Sequence, residues 1–327
     1  MQHKKTPGGQ VSGHPPEGSN EAGKHPARIE RYSTARKRAL EMVAHLATQR
    51  DDPLGTFEKA RHRLNDCGNY LLFHHYFTVG KMRLAAMKSC KQHLLCPLCA
   101  IRRGAKTLEG YLNRYEVIRA EHPTLRAFMV TFTVKNGDDL AERFGHLQKS
   151  LKTLHRRRRN LLAGVRSAPY TEAVKALGAV WSFEVTNRGK GWHPHAHAVW
   201  LAYDTPSQAR LQQEWQDITG DSFIVDVRPI EGDPVEGFME VLKYAVKFSD
   251  LTLADNVTAW EYLKGRRLLG SFGLFRGVQV PEAMTDELLD DLPYIELFYR
   301  YTSAGYSLQS HQEPTETGFN RFRPVTA

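Results

Sequence analysis

Two spacings of apolar residues recur along the chain, and together they predict a mixture of helices and strands. The segment IERYSTARKRALEMVAHLATQ, residues 29–49, lacks proline and glycine and has apolar residues at helical spacing, which predicts a helix of several turns. Ala127–Val134 is dense in β-branched and aromatic residues and is followed by Asn-Gly, which predicts a strand. Further helices are predicted at Phe57–Leu64, Gly104–Ala120, Leu140–Leu161 and Gln208–Thr219, and further strands at NYLLFHHYFTV and SFIVDVRPI.

The most distinctive strand pattern is a hairpin, ALGAVWSFEVTNRGKGWHPHAHAVWLAY, in which two strands flank a glycine-rich loop. Taking NRGKGWHP as the loop places Glu184 opposite His197 and Thr186 opposite His195. These four side chains then share one face, because residues two apart in a strand point the same way. The opposite face is expected to be apolar and to pack on helices. It carries Trp181, Phe183, Val185, Ala196, Ala198 and Trp200.

A helix with a well-specified start follows in DPVEGFMEVLKYAVKFSD. Asp233 fits the N-cap position, Pro234 the first helical position and Glu236 the third. The helix is expected to run to about Phe248. Its packing side is expected to carry Phe238, Val241, Leu242, Ala245 and Phe248.

Composition changes this picture mainly at the N-terminus and in the choice of partner. Residues 1–28 are rich in glycine, proline and polar residues, which predicts a flexible tail. No apolar run reaches the length of a membrane span and the N-terminus lacks the apolar core of a signal peptide, so we expect a cytoplasmic protein with no membrane partner. A formal charge of +9 and a pI of about 9.3 favour an anionic partner such as nucleic acid.

The densest positive charge is the run HRRRR, His155–Arg159, inside the helix predicted over residues 140–161. One interpretation is a solvated helix face, and the other is a face that contacts phosphates. The sequence alone does not choose between them.

The polar face of the hairpin carries a candidate metal site. Two imidazoles, His195 and His197, converge there with the carboxylate of Glu184. Mixed nitrogen and oxygen ligands of this kind suit Mg²⁺, Mn²⁺ or Zn²⁺. The alternative is a solvent-facing strand that happens to contain histidine, but the preceding His193 and the facing carboxylate favour the metal site.

The helix after Asp233 adds a candidate nucleophile. Glu240 and Tyr244 are four residues apart and share a helix face, with Lys243 and Lys247 adjacent. The lysine ammonium groups attract a phosphate and favour the phenolate that would attack it. Taken alone, this is an ordinary helix with an i,i+4 pair. Together with the histidine strand, it predicts phosphoryl transfer.

Four cysteines form a second group, at Cys67, Cys90, Cys96 and Cys99. A reducing cytosol disfavours disulfides, and the Cys-Pro-Leu-Cys spacing allows two thiolates to hold one tetrahedral ion. We therefore predict a structural Zn²⁺ site of four cysteines. The alternatives are four buried or reactive thiols, or a site in which His93 replaces Cys67.

The segment after the last cysteine is basic, with Arg102, Arg103 and Lys106. A zinc site would hold this segment in place. We therefore expect Arg102 and Arg103 to bind DNA phosphates.

Three motifs in this order resemble those of the replication initiators of rolling-circle plasmids, within the HUH endonuclease superfamily. FMVTFTVKNG at residues 128–137 looks like the first motif, HPHAH at 193–197 like the metal-binding second and EVLKYAVK at 240–247 like the tyrosine-bearing third. The resemblance covers roughly residues 67–277. In the first motif Thr131 and Thr133 share a strand face, where we expect them to be core residues.

The resemblance implies a role for each site residue. His195 and His197 would ligate a divalent ion, Mg²⁺ or Mn²⁺, with Glu184 as the third ligand and His193 as its competitor. Tyr244 would attack a phosphodiester of single-stranded origin DNA, remain attached as a 5′-phosphotyrosine and leave a 3′-hydroxyl primer. Because Glu240 stands where some members have a second tyrosine, its implied role is a general base that activates water for the terminating cleavage.

The expected fold is α+β, with a central antiparallel sheet of about five strands, HUH-like and of the ferredoxin or RRM type, covered by helices. The expected regions are a disordered tail (1–28), a helical and zinc-binding region (29–120), the catalytic core (121–250), a C-terminal extension (251–308) and a loose tail (309–327).

The implied function is initiation of plasmid replication on single-stranded or cruciform origin DNA, with a host helicase and DNA polymerase as partners. Two alternatives remain at this point. One is the same chemistry in an HUH transposase or relaxase, and the other is a non-catalytic zinc-containing DNA-binding protein.

Overall fold

The structure is a computed structural model, and it describes residues 21–49, 52–242, 248–289, 292–312 and 323–324. Its α-helices are α1 (His25–Ala47), α2 (Thr56–Asp66), α3 (Pro97–Glu121), α4 (Leu140–Leu162), α5 (Gln208–Thr219), α6 (Pro234–Leu242) and α7 (Leu253–Leu263). Its strands are β1 (Tyr70–Tyr76), β2 (Lys81–Met87), β3 (Arg126–Thr133), β4 (Gly178–Asn187), β5 (Trp192–Ala202), β6 (Val225–Pro229), β7 (Leu269–Gly273), β8 (Ile295–Thr302), β9 (Gly305–Gln312) and β10 (Arg323–Pro324). Short 3₁₀ helices occur at Glu21–Lys24, Glu172–Lys175 and Phe248–Asp250.

The first helix begins inside the segment that was predicted as a tail to residue 28. A 3₁₀ turn at Glu21–Lys24 leads into α1, which starts at His25. His25 is buried, and its ring packs 4.7 Å from the ring of Phe73 on β1. Burial, with Arg28 nearby, lowers the pKa of His25 to about 4. Composition did not predict that the helix starts this early, because the contact that buries His25 comes from β1, a strand distant in the sequence.

The described chain divides into two compact units whose boundaries differ from the predicted ones. The first unit combines Met1–Thr34, Asn69–Lys88 and Thr285–Ala327, and the second combines Ala35–Gly68 with Ser89–Met284. The first unit contains an antiparallel sheet of order β10-β9-β8-β1-β2. β1 pairs there with β8, a strand from the far end of the chain, which no local pattern could predict.

The second unit contains the predicted central sheet. Five strands in the order β6-β3-β5-β4-β7 are joined by antiparallel pairs. The α+β fold with an antiparallel sheet of about five strands is therefore confirmed.

The two faces of this sheet differ as the hairpin pattern predicted. On one face Phe183 packs against Phe144 of α4, with ring centroids 5.3 Å apart, and Trp200 packs against Phe132. The other face is apolar towards one end, where Val180 and Val199 join a core with α3 and α6. Phe238, Val241 and Leu242 of α6 are buried in that core, as predicted.

Much of the arginine run of α4 packs against protein. The His155 ring lies 4.5 Å from the ring of Trp181, and burial, with Arg158 and Arg159 nearby, lowers the pKa of His155 to about 4. The Arg158 guanidinium lies 4.1 Å from the ring centroid of Phe272 and donates hydrogen bonds to two backbone carbonyls. The run therefore holds α4 against the sheet, which neither sequence interpretation anticipated.

The hairpin register is displaced by two residues from the predicted one. Glu184 pairs with His195, Ser182 with His197 and Thr186 with His193. The predicted loop was too long, because β4 continues to Asn187 and β5 already begins at Trp192. A shift of two residues preserves the face of every side chain. The polar face was therefore predicted correctly although its pairing was not.

Candidate functional site

The polar side chains of the hairpin meet at one place in the second unit. Glu184, His195 and His197 each offer a ligand atom, and these atoms all lie within 4.8 Å of one another. Nε2 of His195 lies 3.6 Å from Glu184 Oε1, and Nε2 of His197 lies 3.8 Å from Glu184 Oε2. This donor set suits a divalent cation, because a carboxylate and imidazole nitrogens converge without a competing cationic side chain among them. The grouping is consistent with the predicted metal site.

Hydrogen bonds hold the far nitrogen of each imidazole. Nδ1 of His197 lies 3.0 Å from Oγ1 of Thr131 on β3, and Nδ1 of His195 lies 3.3 Å from the backbone oxygen of His193. A ring whose Nδ1–H donates to an oxygen presents a lone pair on Nε2. Both rings can thus direct Nε2 towards Glu184 as metal ligands. The expectation that Thr131 is only a core residue missed this contact.

His193 occupies a strand position next to the three candidate metal ligands. Its ring centroid lies 5.2 Å from that of His195, and its Nδ1 lies 2.6 Å from Oδ1 of Asn136. Burial, with His195 and Arg188 nearby, lowers the pKa of His193. Among the described residues, the ligand atoms that cluster around Glu184 do not include His193. Asn136 was predicted only as a turn residue, because no local pattern indicates its contact with a histidine 57 residues away in the sequence.

These residues line a cleft of about 440 Å³ that α6 also borders. Glu240 of α6 lines the cleft together with Glu184, His195 and His197. The hydroxyl of Ser182 on β4 donates a hydrogen bond to the backbone oxygen of Val241, so α6 is joined to β4 two residues before Glu184. Two features that the sequence placed far apart, the histidine strand and Glu240, therefore line one cleft.

Residues 243–247 lie outside the described residues, and they include Lys243, Tyr244 and Lys247. The helix expected to run to about Phe248 is described as far as Leu242, and Phe248–Asp250 forms a 3₁₀ helix. Tyr244 follows Leu242 by two residues in the sequence. Its predicted place at the site stays a prediction.

The four cysteines form a second candidate metal site in the same unit. Their sulfur atoms all lie within 4.8 Å of one another, and all four side chains are buried. Sγ of Cys67 lies 3.6 Å from that of Cys96 and 3.5 Å from that of Cys99. Four thiols at such distances fit a single tetrahedral ion. His93, the alternative ligand, is exposed and does not belong to this group.

Backbone amides support the sulfur atoms of the cysteine cluster. The amide of Cys90 donates to Sγ of Cys67 over 3.3 Å, and the amide of Cys99 donates to Sγ of Cys96 over 3.5 Å. Hydrogen bonds among the thiols lower the pKa of Cys67 and raise the pKa values of Cys96 and Cys99. Within the cluster the thiolate is therefore favoured at Cys67, where the backbone amide of Cys90 also stabilises it, and disfavoured at Cys96 and Cys99.

The two arginines of the basic segment after Cys99 bond to the protein itself, whereas we expected them to be available to DNA phosphates. Arg102 is 3% exposed, and its Nε donates a 2.6 Å hydrogen bond to the backbone oxygen of Met284. Nη1 of Arg103 donates to the backbone oxygen of Pro281 over 2.9 Å. The prediction that Arg102 binds DNA phosphates is wrong, because a later part of the chain covers its guanidinium. Arg103 is half-buried and also engaged by that part of the chain.

A comparison with protein families decides where this chain belongs. The family model Rep_1, replication protein, matches residues 81–298, which is more than half of the chain. The match includes Glu184, both candidate histidine ligands and three of the four cysteines. The chain belongs to the Rep_1 family of replication proteins.

Membership of this family supports a role as an initiator of rolling-circle plasmid replication. Initiators of this family are generally endonucleases. The resemblance to rolling-circle replication initiators is thereby confirmed. No curated protein and no solved structure matches the chain. In the described part of this Rep_1 protein, none of the helices is both long enough and apolar enough to span a membrane.

Replacing Thr131 by valine in this Rep_1 protein is expected to weaken Mn²⁺ binding by about 10- to 100-fold. The substitution keeps the shape of the side chain but removes the hydroxyl that holds Nδ1 of His197, and loss of such a partner typically costs that much in metal affinity. Isothermal titration calorimetry with Mn²⁺ measures the change.

Thr133→Val is the matched control, because this threonine lies on the same strand and its hydroxyl donates to the backbone oxygen of Ile224. We expect Thr133→Val to bind Mn²⁺ within a factor of about three of the unmodified protein. Equal Mn²⁺ affinity in Thr131→Val and the unmodified protein would exclude an orienting role for Thr131.

Proposed function

We propose that this protein initiates plasmid replication by nicking and rejoining single-stranded origin DNA through a covalent bond to Tyr244. The observation that supports the proposal is the cleft in which Glu184, His195 and His197 converge beside Glu240. Family membership supplies the replication context. It also favours plasmid initiation over the same chemistry in a transposase or relaxase.

The residues of the cleft suit phosphoryl transfer. A divalent cation held by Glu184, His195 and His197 would polarise a phosphoryl oxygen and offset charge that develops on the phosphate. The phenolic oxygen of Tyr244 would bond to phosphorus while the bond from phosphorus to the 3′ oxygen breaks. The phenol proton passes to solvent, and the 3′ oxygen takes up a proton. The products are a 5′-phosphotyrosine and a 3′-hydroxyl.

Two lysines and a histidine would assist the binding of DNA. Lys243 and Lys247 flank Tyr244 in the sequence, and their charges favour both the phosphate and the phenolate. His193 lines the cleft beside His195 and can donate a hydrogen bond towards DNA through its second nitrogen. These assignments follow the motif order of HUH endonucleases.

Glu240 would end the reaction. It lies in the last described turn of α6 and is half-buried. It lines the cleft that contains Glu184, His195 and His197, which we call the metal cleft. A carboxylate in that place can accept a proton from water, which then releases the DNA from the enzyme. A second tyrosine there would instead capture the strand again. The 3′-hydroxyl made by the first cleavage would prime a host DNA polymerase, with a host helicase opening the duplex.

The direct test is a covalent adduct on origin DNA. Purified protein is mixed with a labelled single-stranded origin oligonucleotide and Mn²⁺, and adducts are resolved on a denaturing gel. We expect an adduct with Mn²⁺ and none with EDTA. Glu184→Gln should form it at least about 10²-fold more slowly, since the variant loses a charged ligand without changing side-chain shape.

Glu236→Gln is the matched control, because Glu236 lies exposed in the first turn of α6. Its rate of adduct formation should equal that of the unmodified protein. A gel shift without any adduct would instead identify a DNA-binding protein without catalysis. An adduct that forms equally fast in EDTA would remove the metal from the proposal.

A further inference from the structure

A second cleft, of about 670 Å³, lies in the same unit and is separate from the metal cleft in its lining residues. It is formed by α2, the loop that follows Cys90 and the end of α7 with its following turn. Five lysine and arginine side chains line it, and we call this surface the basic cleft. They are Lys59, Arg63, Lys91, Lys264 and Arg266.

The charge of the basic cleft is one-sided. All five cationic side chains belong to exposed residues, and the described residues that line the cleft include no aspartate or glutamate. Lys59 and Arg63 are four residues apart on α2, so like charges share one helix face. Cations gathered in a concave surface repel one another and create a positive potential that attracts an anion. The surface therefore suits a polyanion better than a protein partner of mixed charge.

The walls of the basic cleft are fixed to the cysteine cluster. Arg63 Nη2 donates a 2.5 Å hydrogen bond to the backbone oxygen of Cys90, and Gln92 Nε2 donates to the backbone oxygen of Ala60 over 3.3 Å. Asn256 of α7, which is buried, donates to the backbone oxygen of Leu94 over 2.9 Å. These hydrogen bonds hold three separate segments of the chain together and so define the shape of the cleft.

Helix α7 connects the basic cleft to the hairpin of the metal site. In the first turn of α7, Asp255 accepts a 3.3 Å hydrogen bond from Asn187 at the end of β4. At the other end, Trp260 and Lys264 line the basic cleft. The 11 residues of α7 span about 16 Å, at 1.5 Å per residue. Neighbouring phosphates of one strand in duplex DNA lie about 3.4 Å apart along the axis, so this length corresponds to about five nucleotides.

We propose that the basic cleft binds the sugar-phosphate backbone of origin DNA next to the segment that is cut in the metal cleft. The proposal rests on the proposed function, because it needs origin DNA to reach the metal cleft. Lysine and arginine side chains contact phosphates without reading bases, so the cleft positions the DNA and leaves sequence selection to other surfaces. The cysteine cluster then has a role in DNA binding, since it holds the loop with Lys91 against α2.

The test measures how DNA affinity depends on salt. Lys59→Gln, Lys264→Gln and Arg266→Gln are combined in the full-length protein, leaving Arg63 in place because it contacts the cysteine loop. Fluorescence anisotropy with labelled origin DNA is recorded in EDTA between about 50 and 300 mM NaCl. Over this range phosphate contacts change the DNA affinity strongly enough to be measured. Loss of three phosphate contacts should weaken binding at least about tenfold and reduce the slope of log K against log salt by about 2 for a single strand.

The matched control removes three exposed cations from α4, with Lys149→Gln, Lys152→Gln and Arg156→Gln. It carries the same change in net charge, and we expect a slope within about 0.5 of the unmodified protein. A slope change confined to single-stranded DNA assigns the cleft to the nicked strand, and one confined to duplex DNA assigns it to the flanking origin. Equal effects in both triple variants, or none in the first, would overturn the proposal.

The design separates this proposal from the proposed function. Binding in EDTA does not require cleavage. The slope of log K against log salt therefore tests whether the basic cleft binds DNA even if no adduct is ever seen. Adduct formation with Mn²⁺, in turn, decides the nicking chemistry even if the slope does not change.

Discussion

Replacing Tyr244 by phenylalanine is expected to abolish the covalent adduct with origin DNA and to leave DNA binding intact. The substitution removes one oxygen atom, which is the atom proposed to bond to phosphorus, and retains the ring. Loss of a catalytic nucleophile lowers the rate by at least about 10³-fold in well-studied enzymes. Denaturing gels measure the adduct, and anisotropy in EDTA measures the binding.

The expected pattern separates chemistry from binding, because this variant leaves Glu184, His195 and His197, the proposed metal ligands, unchanged. Tyr203→Phe is a suitable control, since Tyr203 is exposed and its hydroxyl lies 3.0 Å from Nδ1 of His122. It should form the adduct at the rate of the unmodified protein. If Tyr244→Phe still formed the adduct, peptide mapping of the attached DNA would have to assign the bond to another residue.

Replacing Cys99 by serine is expected to cost the second unit more than about 4 kcal/mol of unfolding free energy and to remove bound zinc. Cys99 is fully buried, and its sulfur lies 3.5 Å from Cys67 Sγ and 3.6 Å from Cys90 Sγ. Losing one of four ligands forfeits much of the binding free energy of a structural zinc ion, which is about 10–16 kcal/mol in small zinc domains. Thermal unfolding and elemental analysis by mass spectrometry measure the two effects.

A chelator provides an independent test of the cysteine cluster. Treating the unmodified protein with a strong zinc chelator should lower its unfolding temperature as Cys99→Ser does, and should not change that of the variant further. Ala100→Ser is the control substitution, because it adds a hydroxyl at the next buried position of α3 and keeps all four thiols. Chelator-resistant stability and an absence of zinc would show that the thiols only pack in the core.

The sequence predicted the site better than it predicted the pairing around it. Alternation along the hairpin was enough to place Glu184, His195 and His197 on one face, because a strand has a period of two. The register depends on where the loop begins, and Asn187 and Trp192 extend the strands beyond the expected ends. Since the error was an even number of residues, no side chain changed face.

Long-range contacts were the part that sequence could not provide. Arg102 reads as a surface charge, and only the chain near Met284 shows that it is buried. The arginine run of α4 reads as a basic face, whereas Arg158 packs on Phe272 of β7. Thr131 gave no signal of its contact with His197, because the two residues are neighbours only across paired strands. In each case the deciding partner is distant in sequence.

Three residues on one face of strand β4 make three different kinds of contact. Val180 is buried in the hydrophobic core, Ser182 donates a hydrogen bond to α6, and Glu184 faces the imidazoles. The three residues follow one another at intervals of two. Deleting two consecutive residues between Val180 and Glu184 would keep both of them on the same face of β4. It would, however, remove Ser182 and with it the hydrogen bond to α6. Length changes at the tip, residues 188–191, would leave this order intact. Insertions in homologous chains should therefore accumulate at the tip and avoid the stretch before Glu184.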